Sequence, residues 1–104
     1  MFYVKNQPIY KQERTMKSQT TISTLQADRI AKRLIQHWRH KFEVDVQPAQ
    51  QLIFMPNAIV TLRPEQQQLW VQIESPADDL TKMQQVVLDH LSRMGNEALV
   101  AQWH

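Results

Sequence analysis

Residues 30–46 read Ile30-Ala31-Lys32-Arg33-Leu34-Ile35-Gln36-His37-Trp38-Arg39-His40-Lys41-Phe42-Glu43-Val44-Asp45-Val46. Up to Trp38 the apolar side chains return every three or four residues, the period of an amphipathic helix. From Phe42 they return every second residue, with Glu43 and Asp45 between them, the period of a half-buried strand. A helix therefore hands over to a sheet inside one short stretch, and the rest of the chain can be placed around that junction.

Upstream, Gln19-Thr20-Thr21-Ile22-Ser23 is β-branched and short, a first strand. Ser23 with Gln26 forms a capping-box pattern, so the helix is expected to start there and run to about Lys41. Its apolar stripe is Ala27, Ile30, Ala31, Leu34, Ile35 and Trp38. Downstream, Pro48-Ala49-Gln50 breaks the strand that begins at Phe42. Leu52 to Met55 and Ala58 to Arg63 read as strands around a Pro56-Asn57 turn, in which Asn tolerates a left-handed backbone. Pro64-Glu65-Gln66-Gln67 turns again, and Leu69, Val71 and Ile73 alternate with Trp70, Gln72 and Glu74. Such short connections favour an antiparallel meander.

Ser75-Pro76-Ala77-Asp78 has the composition of a helix start, with Asp78 and Asp79 facing the positive end of the dipole. The stripe Leu80, Met83, Val87, Leu91 and Met94 follows, and Gly95 stands where a helix takes a left-handed closing residue. Glu97 to Trp103 reads as a last strand. The order β-α-β-β-β-β-α-β implies an α+β two-layer sandwich, an antiparallel sheet with two helices on one face.

At 104 residues the chain makes one small domain. Residues 1–15 lack a trustworthy period and an apolar signal region, so they are expected to form a flexible tail ahead of a domain over 16–104. No apolar run is long enough to span a membrane, and a cytoplasmic location is expected. There is no cysteine, which excludes disulfides, thiolate metal sites and a cysteine nucleophile. A single glycine excludes a phosphate-cradling glycine loop.

Residues 1–41 carry net charge +7 and residues 42–104 carry −5. Mutual neutralisation in the folded state explains this split more simply than steering of an anionic partner. Five Lys/Arg between Arg29 and Lys41 make a basic helix face, but a solvated outer face is its ordinary meaning, and weak nucleic-acid binding is the less favoured reading. Trp70 and Trp103, placed on strands, point to a homodimer through an open sheet face.

No serine sits in a Gly-x-Ser-x-Gly turn, and Asp78-Asp79 is explained by the helix start, so the chain reads as a binding module rather than an enzyme. Histidine carries the remaining chemistry. His37 and His40 are three apart, with His37 at the edge of the apolar stripe and His40 toward water. His90 lies on or beside the stripe of the second helix. Two helices side by side would bring His37 and His90 together as a site for a metal or an acidic small ligand. The plainer alternative is that both rings only complete the edge of the core. The metal and its full ligand set stay open at this level, as does any cofactor. His104 is terminal and most simply solvated.

Several blocks resemble a small bacterial family, the domain of unknown function 2218. They are Thr20-Thr21-Ile22-Ser23-Thr24, His37-Trp38-Arg39-His40-Lys41-Phe42-Glu43-Val44, the stretch from Leu80 through Val86-Val87-Leu88-Asp89-His90-Leu91-Ser92-Arg93, and Leu99-Val100-Ala101-Gln102-Trp103. The resemblance covers about residues 16–104. It departs at Pro56-Asn57-Ala58, where relatives tend to have a glycine, and at Met94-Gly95-Asn96, where they tend to be bulkier. Similar domains occur fused to flavin-binding siderophore-interacting proteins. The resemblance thus implies an accessory module of iron and siderophore utilisation, with a ferric siderophore or a flavin-dependent siderophore reductase as partner. It carries over His37, His40, Lys41, His90 and Arg93 as candidate ligand-binding residues. The alternative is a structural or protein-interaction domain with no ligand site.

Overall fold

The computed structural model describes residues 15–104. The tail expected over residues 1–15 lies outside them except for Thr15. In chain order the described elements are β1 (Met16–Ser23), α1 (Ala27–Trp38), β2 (Glu43–Val46), β3 (Gln51–Met55), β4 (Ala58–Glu65), β5 (Gln68–Ser75) and α2 (Thr81–Gly95). The strands form one antiparallel sheet in the order β1-β5-β4-β3-β2. With both helices on one face, this is the α+β two-layer sandwich expected from the periodicities.

Alternation decides which side of each strand is covered. Leu69, Val71 and Ile73 of β5 are fully buried, and their cross-strand partners Ile22, Thr20 and Ser18 of β1 are buried with them. Val60 and Leu62 of β4 and Ile53 of β3 continue that layer. On α1 the whole expected stripe, Ala27 to Trp38, is buried against it. Val87 and Leu91 of α2 close the core, and Gln84 Nε2 reaches across to donate to Ser18 Oγ at 2.7 Å. Each fully buried Leu or Ile contributes roughly 1.5–3 kcal/mol of transfer free energy, so these two layers supply the main driving force.

The boundaries depart from the sequence reading in several places. β1 starts at Met16, three residues early, because its polar residues pair along the whole of β5. β4 runs through Pro64 to Glu65, and the turn is only Gln66-Gln67, where Gln67 takes φ 67°. The tight turn at Pro56-Asn57 forms, but Asn57 does not adopt positive φ. β2 is a short edge strand whose Val46 is 59% exposed, so its alternation is only partly buried.

Both helices also start later than the capping patterns suggest. Ser23 ends β1, and Gln26 occupies the N-cap position of α1 without a side-chain cap. α1 stops at Trp38, whose carbonyl accepts the N–H groups of both Lys41 and Phe42. Ser75 ends β5, its hydroxyl accepts the Ala77 N–H, and α2 begins only at Thr81. Asp79 Oδ1 accepts the Thr81 N–H at 2.9 Å, which holds the carboxyl below its ordinary pKa.

At the other end of α2, Asn96 rather than Gly95 takes the left-handed position, at φ 50°. The Glu97 N–H returns to the Ser92 carbonyl and the Asn96 N–H to the Arg93 carbonyl, a Schellman closure. The expected last strand does not form a ladder. Residues 98–104 run as an extended arm that meets β1 at one hydrogen-bonded pair, Gln19 with His104. Leu99 is buried, and Ala101 and Trp103 pack against the core, so this arm closes the open side of the sandwich. Trp103 therefore does not lie on the open sheet face, and only Trp70 keeps that expected position. No described helix is long and apolar enough to cross a membrane.

Candidate functional site

The two helices run in opposite senses where they touch. Gln26 at the start of α1 meets the end of α2, and the end of α1 meets the middle of α2. Helical phase puts His37 and His90 on the facing edges, and their ring centroids stand 5.6 Å apart at an interplanar angle of 45°. Trp38, buried at the end of α1, packs against His90 at 4.8 Å and against Phe42 edge-on at 6.0 Å.

His90 Nδ1 lies 2.8 Å from the Val86 carbonyl one turn back. A carbonyl only accepts, so in the neutral ring Nδ1 carries the hydrogen and Nε2 presents its lone pair. His90 is half-buried while His37 is exposed. One ring is thus fixed in tautomer and plane, and the other is free at the rim.

An open cleft of about 290 Å³ lies beside the fixed ring, between the end of α1, the β3–β4 turn and α2. Trp38, Phe42, Met55, Met83 and Val86 give it apolar and aromatic walls, and Lys41 brings an ammonium to it. Such a site suits a flat or bulky anionic ligand: aromatic walls for its body and the Lys41 ammonium for its charge.

Of the five candidate residues, the fold brings His37 and His90 into contact and puts Lys41 on the cleft that His90 lines. His40 and Arg93 are exposed and do not line it. Among the described residues no three His, Asp or Glu side chains converge as a ligand set. A bare metal ion therefore lacks a protein cage, and a metal would have to arrive already chelated.

A polar cluster at the opposite end of the helix pair has no counterpart in the sequence reading. Gln26 Nε2 donates to the Gly95 carbonyl at 3.1 Å and to Glu97 Oε1 at 3.0 Å, and the Thr24 hydroxyl donates to the same carboxylate at 2.9 Å. Arg33 Nη1 donates to the Met94 carbonyl at 3.1 Å. These bonds satisfy carbonyls at the end of α2 and fix the helix crossing that sets the His37–His90 distance. Their sequence separations exceed sixty residues, and no local pattern signals them.

The fold has a solved counterpart. The NMR structure of PA4090 from Pseudomonas aeruginosa is 37% identical, is matched over 85% of this chain and 94% of that one, and superposes with a TM-score of 0.72. Nothing among curated proteins matches. A family model described as "Uncharacterized protein conserved in bacteria (DUF2218)" matches residues 19–104, which is nearly all of the described domain. By that match the chain belongs to this bacterial family of uncharacterised proteins.

Proposed function

We propose that this domain is a non-enzymatic, cytoplasmic binding module of iron and siderophore utilisation that holds an anionic ferric chelate in the cleft beside His90. The observation that carries this reading is the imidazole pair at 5.6 Å with Lys41 on the adjoining aromatic cleft. A chelated ferric ion brings its own donor oxygens, so it does not need the third protein ligand that is missing among the described residues. A catecholate chelate presents aromatic edges to Trp38 and Phe42 and negative charge to Lys41, with the His90 ring as part of the wall. A flavin-dependent siderophore reductase is the protein partner that fits this setting.

The test is a thermal-shift and calorimetric titration with a ferric tris-catecholate, with the iron-free catechol as control. The expected result is a saturable rise in Tm for the ferric chelate. That rise should fall away in Lys41→Gln and in His90→Gln. No saturable binding, or equal binding by both variants, overturns the reading.

A second reading has its own support. The Nδ1 bond to Val86 and the Trp38 contact are also what a histidine completing a core edge would make. A large stability loss in His90→Gln, with no ligand binding by the parent chain, decides for a structural or interaction domain.

A further inference from the structure

At Gln19 both backbone groups of β1 point away from the sheet: the N–H donates to the His104 carbonyl at 3.2 Å, and the carbonyl accepts the His104 N–H at 2.8 Å. In an antiparallel ladder the direction alternates with every residue. Thr20 and Ile22 thus turn their backbone toward β5, as does Thr24, whose N–H donates to the Gln67 carbonyl. Thr21 and Ser23 turn theirs outward with Gln19. Among the described residues neither outward pair has a backbone or side-chain partner.

The arm explains the gap. Gln19–His104 fastens one end of it to β1, and Thr24 Oγ1 donating to Glu97 Oε1 fastens the other. Between these points the arm has two residues more than β1, so it bows away from the edge. The bow leaves a groove of about 530 Å³. Thr21 and Ser23 form one side, Val100 and Gln102 the other, and Trp70 lies beside them on the open sheet face. Val100 is 76% exposed on this wall, an apolar side chain the core does not use.

We infer that this groove is a β-strand-addition site for a short, uncharged, extended peptide segment of another protein. Backbone donors and acceptors repeating every second residue are complemented by another extended backbone. About three to four residues fill the span at about 3.4 Å each. The walls give the side chains of such a segment Val100 and Trp70 to pack on, while the lining beside Thr21 and Ser23 is almost free of charge. A second copy of the chain fits less well. The arm, fastened at both ends across this edge, admits a short single segment between itself and β1 more readily than the edge of a second sheet. This site is separate from the His90 cleft and does not depend on what that cleft binds.

The test uses the full chain. Heptapeptides are selected from a random displayed library, and the best binder is titrated against isotope-labelled protein. The expected result is an uncharged peptide with alternating apolar residues that slows hydrogen exchange at the Thr21 and Ser23 amides at least tenfold. Val100→Glu, on an exposed position, is expected to weaken that peptide at least tenfold with Tm unchanged. Thr21→Pro, which removes one outward N–H at an edge position that tolerates proline, is expected to do the same. Recovery of no binder, binders that leave Thr21 and Ser23 exchange unchanged, or protection that appears only as the chain self-associates would each overturn the inference.

Discussion

Gly95, the last residue of α2, lies directly over Ile30 of α1: a Cβ added there would come within 2.8 Å of Ile30 Cδ1 and 3.0 Å of its Cγ1. Gly95 does not adopt positive φ, so its backbone does not require glycine. The requirement is space. Ile30 is fully buried, and its end methyl has no vacant direction in which to move. Gly95→Ala gains about 1 kcal/mol of helix propensity but incurs an overpacking cost of about 1–3 kcal/mol. The expected outcome is a net loss, read by urea unfolding. In the Ile30→Val background, which lacks the clashing methyl, the same change should turn neutral or favourable. Equal effects in both backgrounds would refute the contact.

His90 and His37 touch each other yet should differ in their worth to stability. His90 makes a hydrogen bond to the Val86 carbonyl and an aromatic contact with Trp38 at 4.8 Å, each worth about 0.5–1.5 kcal/mol. His90→Ala is expected to cost about 1–3 kcal/mol. His37 is exposed and, among the described residues, makes the ring contact and no hydrogen bond, so His37→Ala should stay within about 0.5 kcal/mol. Denaturant melts of the two variants check this, and equal losses would refute it.

These two contacts mark how far the sequence could be read. The stripe from Ala27 to Trp38 predicts the buried face of α1 residue by residue, because helical phase is a local property. The same phase, applied to α2, places His37 and His90 on facing edges. Helix ends were harder to read. Ser23 and Ser75 look like caps, yet both are buried or paired strand ends, because the long ladder between β1 and β5 and the turn after β5 claim them first. The segment 97–103 has a strand's composition but one ladder contact, since its inward residues pack on the core instead of pairing along β1. The Thr24–Gln26–Glu97 cluster was invisible because it joins residues more than seventy positions apart, and nothing in either local pattern points to the other.

Asp79 links the start of α2 to pH. Its carboxyl accepts the Thr81 N–H, and that bond holds its pKa below the ordinary 3.8. For a carboxyl depressed in the folded state, the stabilisation is complete above the ordinary value and disappears as pH falls through the lowered one. Asp79→Ala is therefore expected to lower Tm near neutral pH. The gap between variant and parent should narrow as pH falls from neutral through the ordinary carboxyl range into strong acid. A gap that is the same at both ends of that range would show that the charge of Asp79 plays no part.

Thr20 is 2% exposed on the core face of β1, opposite Val71, and among the described residues its hydroxyl has no hydrogen-bond partner. A buried hydroxyl without a partner loses its hydration and recovers nothing, at about 1–3 kcal/mol by mutational measures. Valine keeps the shape and the branching and replaces the hydroxyl by a methyl, which the apolar layer of Val71 and Ile22 accepts. Thr20→Val is thus expected to raise stability by about 1 kcal/mol or more, measured by urea unfolding with an unchanged m-value. A loss of stability would mean that the hydroxyl is satisfied in solution, by a water that enters from the groove it lines.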